Sequence, residues 1–153
     1  MTESTAASIW FEPRTVEDMN ALNGNTLSDW LGMEITAVGK DFLSGRMPVD
    51  HRTLQPYGLL HGGASIALAE TLGSLAAAMT VDSATTLVVG QEINANHIRG
   101  VRAGHVTGTA RPIHLGGRSQ VWSIEVLDPA GRLVCISRLT LAVLEKRPQS
   151  TAP

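Results

Sequence analysis

Glu70 lies in Leu68-Ala69-Glu70-Thr71-Leu72, a carboxylate set inside the longest apolar run of the chain. Burying a charge there is costly unless the group is paired or protonated. Alternatively, Glu70 marks one narrow solvent-facing stripe. Helical spacing argues against that, since its neighbours would be Ile66, Ala67, Gly73 and Ser74 rather than Lys or Arg. A desolvated carboxylate with a raised pKa serves as a general base or a nucleophile. Ser74 follows four residues on and shares that face. Its hydroxyl either holds a water against the carboxylate or is a small packing group, and spacing leaves the two even.

His61-Gly62-Gly63 opens the same run. The first turn of a helix carries backbone N–H groups without helical partners and with partial positive charge. Glycines let a ligand approach that backbone, which suits it to polarise a carbonyl oxygen as negative charge develops. Gln55, in the loop before Pro56, is placed to donate to the same oxygen, although a loop glutamine is ordinarily just solvated. Two segments have glycine-exposed amides beside a cation and suit phosphate: Asn96-His97-Ile98-Arg99-Gly100, and His114-Leu115-Gly116-Gly117-Arg118-Ser119. Either also reads as an ordinary strand-end turn. HExxH, clustered His and Cys, GxSxG, P-loop and GxGxxG patterns are all missing from the sequence. No metal is therefore expected, nor a nucleotide cofactor.

These residues need a scaffold. His61 to Met79 is rich in Ala, Leu and Gly and reads as one long helix, apolar nearly all round and hence buried. Alternation predicts a hairpin before it, Met33–Val38 and Phe42–Val49, joined by Gly39-Lys40-Asp41. Four further strands are predicted after it, over 86–98, 104–113, 118–127 and 132–144. The last two are joined by Asp128-Pro129-Ala130-Gly131, where Pro fixes one φ and Gly admits a positive one. Two short helical pieces precede the hairpin, one capped by Thr15 and one over 26–31 ended by Gly32. The order is that of an α+β domain with an antiparallel sheet curled around one long central helix. Residues 1–14 read as a flexible lead, 15–147 as one domain and 148–153 as a tail.

The 153 residues suit a single domain, and 43% hydrophobic with 17% charged residues suits a packed core. A net charge of −2 offers no basic field for nucleic acid. Cys135 is the single cysteine, which excludes an intrachain disulfide and fits a packed thiol in a reducing cytoplasm. The N-terminus lacks the basic and apolar regions of a secretory signal. The apolar run from Ala64 is read as interrupted and too short to span a bilayer, so no membrane partner is expected.

Three motifs, in order, carry a resemblance: Gln55-Pro56-Tyr57-Gly58-Leu59-Leu60-His61-Gly62-Gly63-Ala64-Ser65 running on to Leu68-Ala69-Glu70-Thr71-Leu72-Gly73-Ser74; Glu92-Ile93-Asn94-Ala95-Asn96-His97; and His114-Leu115-Gly116-Gly117-Arg118 with Gln120-Val121-Trp122. Together they resemble the hotdog-fold acyl-CoA thioesterases, a group that includes 1,4-dihydroxy-2-naphthoyl-CoA hydrolases, a proofreading thioesterase of enterobactin synthesis and one type of 4-hydroxybenzoyl-CoA thioesterase. The likeness runs from about Leu22 to Leu144. It implies a six-stranded antiparallel sheet wrapped around the helix, dimers pairing into tetramers, and active sites shared between two subunits.

It further implies Glu70 as base or nucleophile, Ser74 orienting water, and Gly62 N–H polarising the thioester carbonyl with support from Gln55 and His61. Coenzyme A, present only as part of the substrate, would be held at Gly90, at His97, Ile98, Arg99 and Gly100, and at His114, Leu115, Gly116, Gly117, Arg118 and Ser119. Position 117 is Gly where some relatives carry Ser. The acyl group would be aromatic or of medium chain, with Leu72, Leu75, Met79 and Leu87 as candidate pocket residues. Two alternatives stand beside this: hydrolysis of acyl groups on a carrier protein, and a non-catalytic acyl-CoA sensor.

Overall fold

The structure, a computed structural model, describes residues 7–146. Two short helices, α1 (Val16–Ala21) and α2 (Leu27–Trp30), lead into the hairpin β1 (Glu34–Val38) and β2 (Leu43–Pro48). The long helix α3 (Gly62–Met79) follows. Then come β3 (Thr86–His97), β4 (His105–Leu115), β5 (Ser119–Leu127) and β6 (Leu133–Glu145). All six strands form one antiparallel sheet in the order β1-β2-β4-β5-β6-β3. The expected α+β arrangement of a six-stranded sheet with a central helix is therefore observed.

Local chemistry explains the boundaries. Thr15 accepts from Asp18 N–H while the Asp18 carboxylate accepts from Thr15 N–H, a reciprocal cap on α1. Gly131 adopts φ +75°, which closes the β5–β6 turn as its sequence requires. One strand is longer than expected. His114 and Leu115 extend β4 past a bulge after Pro112 and pair with Val121 and Gln120, which shortens the following turn.

The sheet curls over one face of α3. Leu68, Ala69, Leu72, Ala76, Ala77 and Met79 are buried against Leu43, Met47, Trp122, Ile124, Leu139 and Leu141. Leu72 sits between Gly45 and Gly108, where an added Cβ would come within 2.9 and 2.7 Å of its methyl groups. The prediction that α3 is buried all round needs correction. Its other face, including Ile66, Ala67, Glu70, Thr71, Ser74 and Leu75, is only half-buried within the chain. The bilayer argument changes too. By length and composition alone the 18-residue α3 could cross a membrane, but half of it is buried inside this domain.

The sequence reads residues 1–14 as a flexible lead, of which residues 1–6 lie outside the described residues. Within it, residues 7–14 lie along the body of the domain. Ile9 N–H donates to Lys40 O, and Phe11 and Glu12 N–H both donate to Met79 O at the end of α3. Trp10 stacks on Trp122 with ring centroids 6.3 Å apart and donates from its indole nitrogen to Gly39 O. The expected tail, 148–153, lies outside the described residues.

Candidate active site

The N-terminus of α3 forms one half of the site. His61 is its N-cap, and Nδ1 accepts from Gly63 N–H at 2.8 Å. Ala64 and Ser65 N–H both reach His61 O. Gly62 N–H takes part in none of the hydrogen bonds among the described residues, so it is the first-turn donor left for a ligand.

Gly62 opens on a cleft of about 330 Å³ lined also by Gln55, Leu59, Ser65, His97, Ile98, Arg99 and Gly100. Gln55 is fixed by its loop. Its N–H donates to Leu59 O, its side-chain Oε1 accepts from Tyr57 N–H, and the amide NH₂ is left as the free end. The His97 ring lies over Gly62, where a Cβ would stand 2.8 Å from Nε2. Nothing bulkier than hydrogen fits at position 62 without moving that ring. Sequence reasoning missed Ser65 as a cleft residue. Its position three residues after Gly62, on the same helical face, was the available signal.

Glu70 stands two turns further along α3, about 12 Å from Gly62 along the axis. It is the only ionisable side chain of the helix. Burial pushes its carboxyl above the ordinary value of 4.5, and the Ser74 hydroxyl one turn on partly opposes that rise. Glu70 lies against β3 at Gly90.

The predicted residues therefore fall into two groups. Gln55, His61, Gly62 and the segment His97–Gly100 meet at the helix N-terminus. Glu70, Ser74 and Gly90 meet further along. Gly90, Leu141 and Gln120 form one row across the sheet, so the turn before Gln120 begins about 10 Å from Gly90. That row places His114–Ser119 with the second group. His97 pairs instead with Cys135, seven residues further along β3, about 23 Å from Gly90.

Two of the four candidate acyl-pocket residues are unavailable. Leu72 and Met79 are fully buried in the core, whereas Leu75 is half-buried on the Glu70 face and Leu87 is exposed on β3. Among the described residues no group of three or more His, Cys, Asp or Glu side chains is placed to hold a metal ion.

A family model described as the thioesterase superfamily matches residues 57–135, the span from the loop before α3 to the start of β6. The chain belongs to the thioesterase superfamily. It is 49% identical over 136 residues to 1,4-dihydroxy-2-naphthoyl-CoA hydrolase of Escherichia coli, covering 89% of this chain and 99% of that one. It is 52% identical to the proofreading thioesterase EntH of Cronobacter turicensis, covering 89% and 98%. A thioesterase crystal structure from Haemophilus influenzae superimposes with a TM-score of 0.89 at 48% identity, covering 93% of this chain and 99% of that one. With such relatives along nearly its whole length, this member of the superfamily is a thioester hydrolase of the hotdog fold.

Proposed function

We propose that the protein hydrolyses acyl-CoA, with an aromatic or medium-chain acyl group, to a carboxylic acid and free coenzyme A, using Glu70. The observation that carries this reading is Glu70 itself, the lone carboxylate of an otherwise uncharged helix, its pKa raised by burial, with the Ser74 hydroxyl one turn on. Gly62 N–H polarises the thioester carbonyl, with the Gln55 amide as the second donor. Glu70 then either draws a proton from a water held by Ser74 or attacks the carbonyl carbon to form a mixed anhydride that water cleaves. In both routes the C–S bond breaks and the thiolate leaves as coenzyme A after protonation.

A separation of about 12 Å prevents one chain from placing Gly62 and Glu70 on the same carbonyl. The site is thus built between two copies, the helix N-terminus of one facing Glu70 of the other. The unpaired edge of β3 supports such a pairing. It is a 12-residue strand at the sheet margin, with Leu87 and Val89 exposed. A long apolar edge of that kind is a template for another strand. Pairing of two dimers would complete a tetramer. Across the dimer, His97–Gly100 of one chain and His114–Ser119 of the other would flank one coenzyme A.

A mostly apolar cleft of about 300 Å³ lies on the other side of the helix N-terminus, lined by Leu27, Leu31, Leu54, Ala64 and Ala67 together with Arg52, Thr53, His61 and Gly63. This supports an apolar acyl group. Hydrolysis of a carrier-borne acyl group is the second reading, favoured by the 52% identity to a proofreading thioesterase.

The test is steady-state release of coenzyme A, read with a thiol-reactive dye, across benzoyl, hydroxybenzoyl, naphthoyl and C4 to C16 acyl-CoAs. Turnover with a clear acyl preference, lowered roughly 10²–10⁴-fold in kcat by Glu70→Gln with substrate still bound, is expected. Negligible turnover of every acyl-CoA beside rapid turnover of a carrier-borne acyl group would select the second reading. Near-normal turnover by the variant would remove Glu70 from the mechanism.

A further inference from the structure

A Cβ built at Gly90 would stand 2.3 Å from Glu70 Oε1, 3.3 Å from its Cδ and 3.8 Å from Oε2. The carboxylate therefore occupies the space of a missing side chain and rests on the backbone of β3. Backbone conformation does not explain the glycine, because Gly90 is absent from the positive-φ residues of the chain.

The strand around it is built for the same purpose. Between Gly90 and Glu92 the pairing with β6 slips, Gly90 opposing Leu141 and Glu92 opposing Thr140, which leaves Gln91 as the extra residue of a bulge. Before the bulge, Val88 packs inward on the core, and Gly90 faces α3 in the same phase. After it, Ile93 and Ala95 face inward. An unbroken alternation would have continued from Val88 and Gly90 to Glu92, placing a second carboxylate against Glu70. The bulge turns Glu92 away, where it accepts from the Asn94 side chain.

We propose that Gly90 is a positioning residue for hydrolysis: its missing side chain and the bulge beside it seat the Glu70 carboxylate and keep it free of a like charge. The inference rests on Glu70 being the reacting carboxylate. It gives Gly90 a role toward Glu70 of its own chain, separate from any backbone contact with coenzyme A.

The atom that a methyl group at position 90 would meet is the free end of a flexible side chain. Gly90→Ala is accordingly expected to fold and assemble normally while displacing the carboxylate. Its kcat should fall roughly 10²-fold, the effect of a misplacement of about 1 Å, with KM little changed. The acid limb of its kcat profile should move to lower pH as the carboxylate gains solvent.

A second background controls for structure. Glu70→Asp shortens the side chain by one methylene, so adding Gly90→Ala to it should cost little more. Equal losses on adding Gly90→Ala to the wild-type chain and to the Glu70→Asp variant would overturn the proposal in favour of a general disturbance of β3. A raised KM at unchanged kcat would overturn it in favour of a substrate contact. Wild-type behaviour of Gly90→Ala beside an inactive Glu70→Gln would sink the Gly90 role and leave Glu70 standing. Normal turnover by Glu70→Gln would end both.

Discussion

Glu70 is held in conflict with its own folding. Burial lifts its carboxyl above 4.5, so the folded chain binds that proton more tightly than the unfolded chain. Ionisation therefore weakens the fold, and the deficit is complete once the pH exceeds the raised value. Glu70→Gln should melt at a higher temperature than wild type at pH 7. The gain should shrink as the pH falls through the Glu70 range and vanish below 4.5, which thermal melts across pH would show. The sign would reverse if the carboxylate were stabilised by a cation. With Glu70 reacting as the carboxylate, as proposed, the same elevation puts the acid limb of kcat above 4.5. Sequence reasoning found Glu70 because one charge in an apolar helix is conspicuous by pattern alone. It did not find the Glu70–Gly90 contact, which joins residues 20 apart through the geometry of a bulge.

At the level of elements, alternation and glycine placement made all six strands and the long helix legible. Periodicity could not show how much of α3 one chain buries. A helix covered by its own sheet on one side and with an apolar, half-open face on the other looks, in sequence, like a fully buried one. The N-terminal segment escapes sequence reading for a different reason. Ser8-Ile9-Trp10-Phe11 has no regular period, and its stability comes from the Trp10–Trp122 stack and from bonds to the last carbonyl of α3. Trp10→Ala should therefore destabilise the domain. Trp10 is only half-buried, so the loss should be about 2 kcal/mol, below the roughly 3–5 kcal/mol of fully buried aromatic truncations. Chemical denaturation measures it, and an unchanged midpoint would show that the segment contributes nothing to the fold.

For the whole molecule, the proposed function makes assembly part of the chemistry, because Gly62 and Glu70 of one chain are about 12 Å apart along α3. Glu70 lies on the half-covered face of α3 and against β3, the exposed edge strand, so the proposed pairing along β3 would cover both and complete the site. In a two-fold dimer each site takes its helix N-terminus from one chain and its carboxylate from the other. Val89→Asp on the edge of β3 should lower both the sedimentation mass and the turnover, because it puts a charge on the exposed apolar edge proposed to pair. A monomer with full activity would contradict the shared site.

The most direct test is complementation between Glu70→Gln and Gly62→Ala chains, the latter blocked because a methyl at position 62 would meet the His97 ring. Each homodimer alone should be nearly inactive in coenzyme A release. A purified heterodimer, carrying a different tag on each chain, joins the intact helix N-terminus of one to the intact Glu70 of the other at one of its two sites. Recovery of about half the wild-type rate per dimer is the predicted result for a two-fold shared site. A heterodimer as inactive as its parents would show that Gly62 and Glu70 of different chains do not act on one thioester.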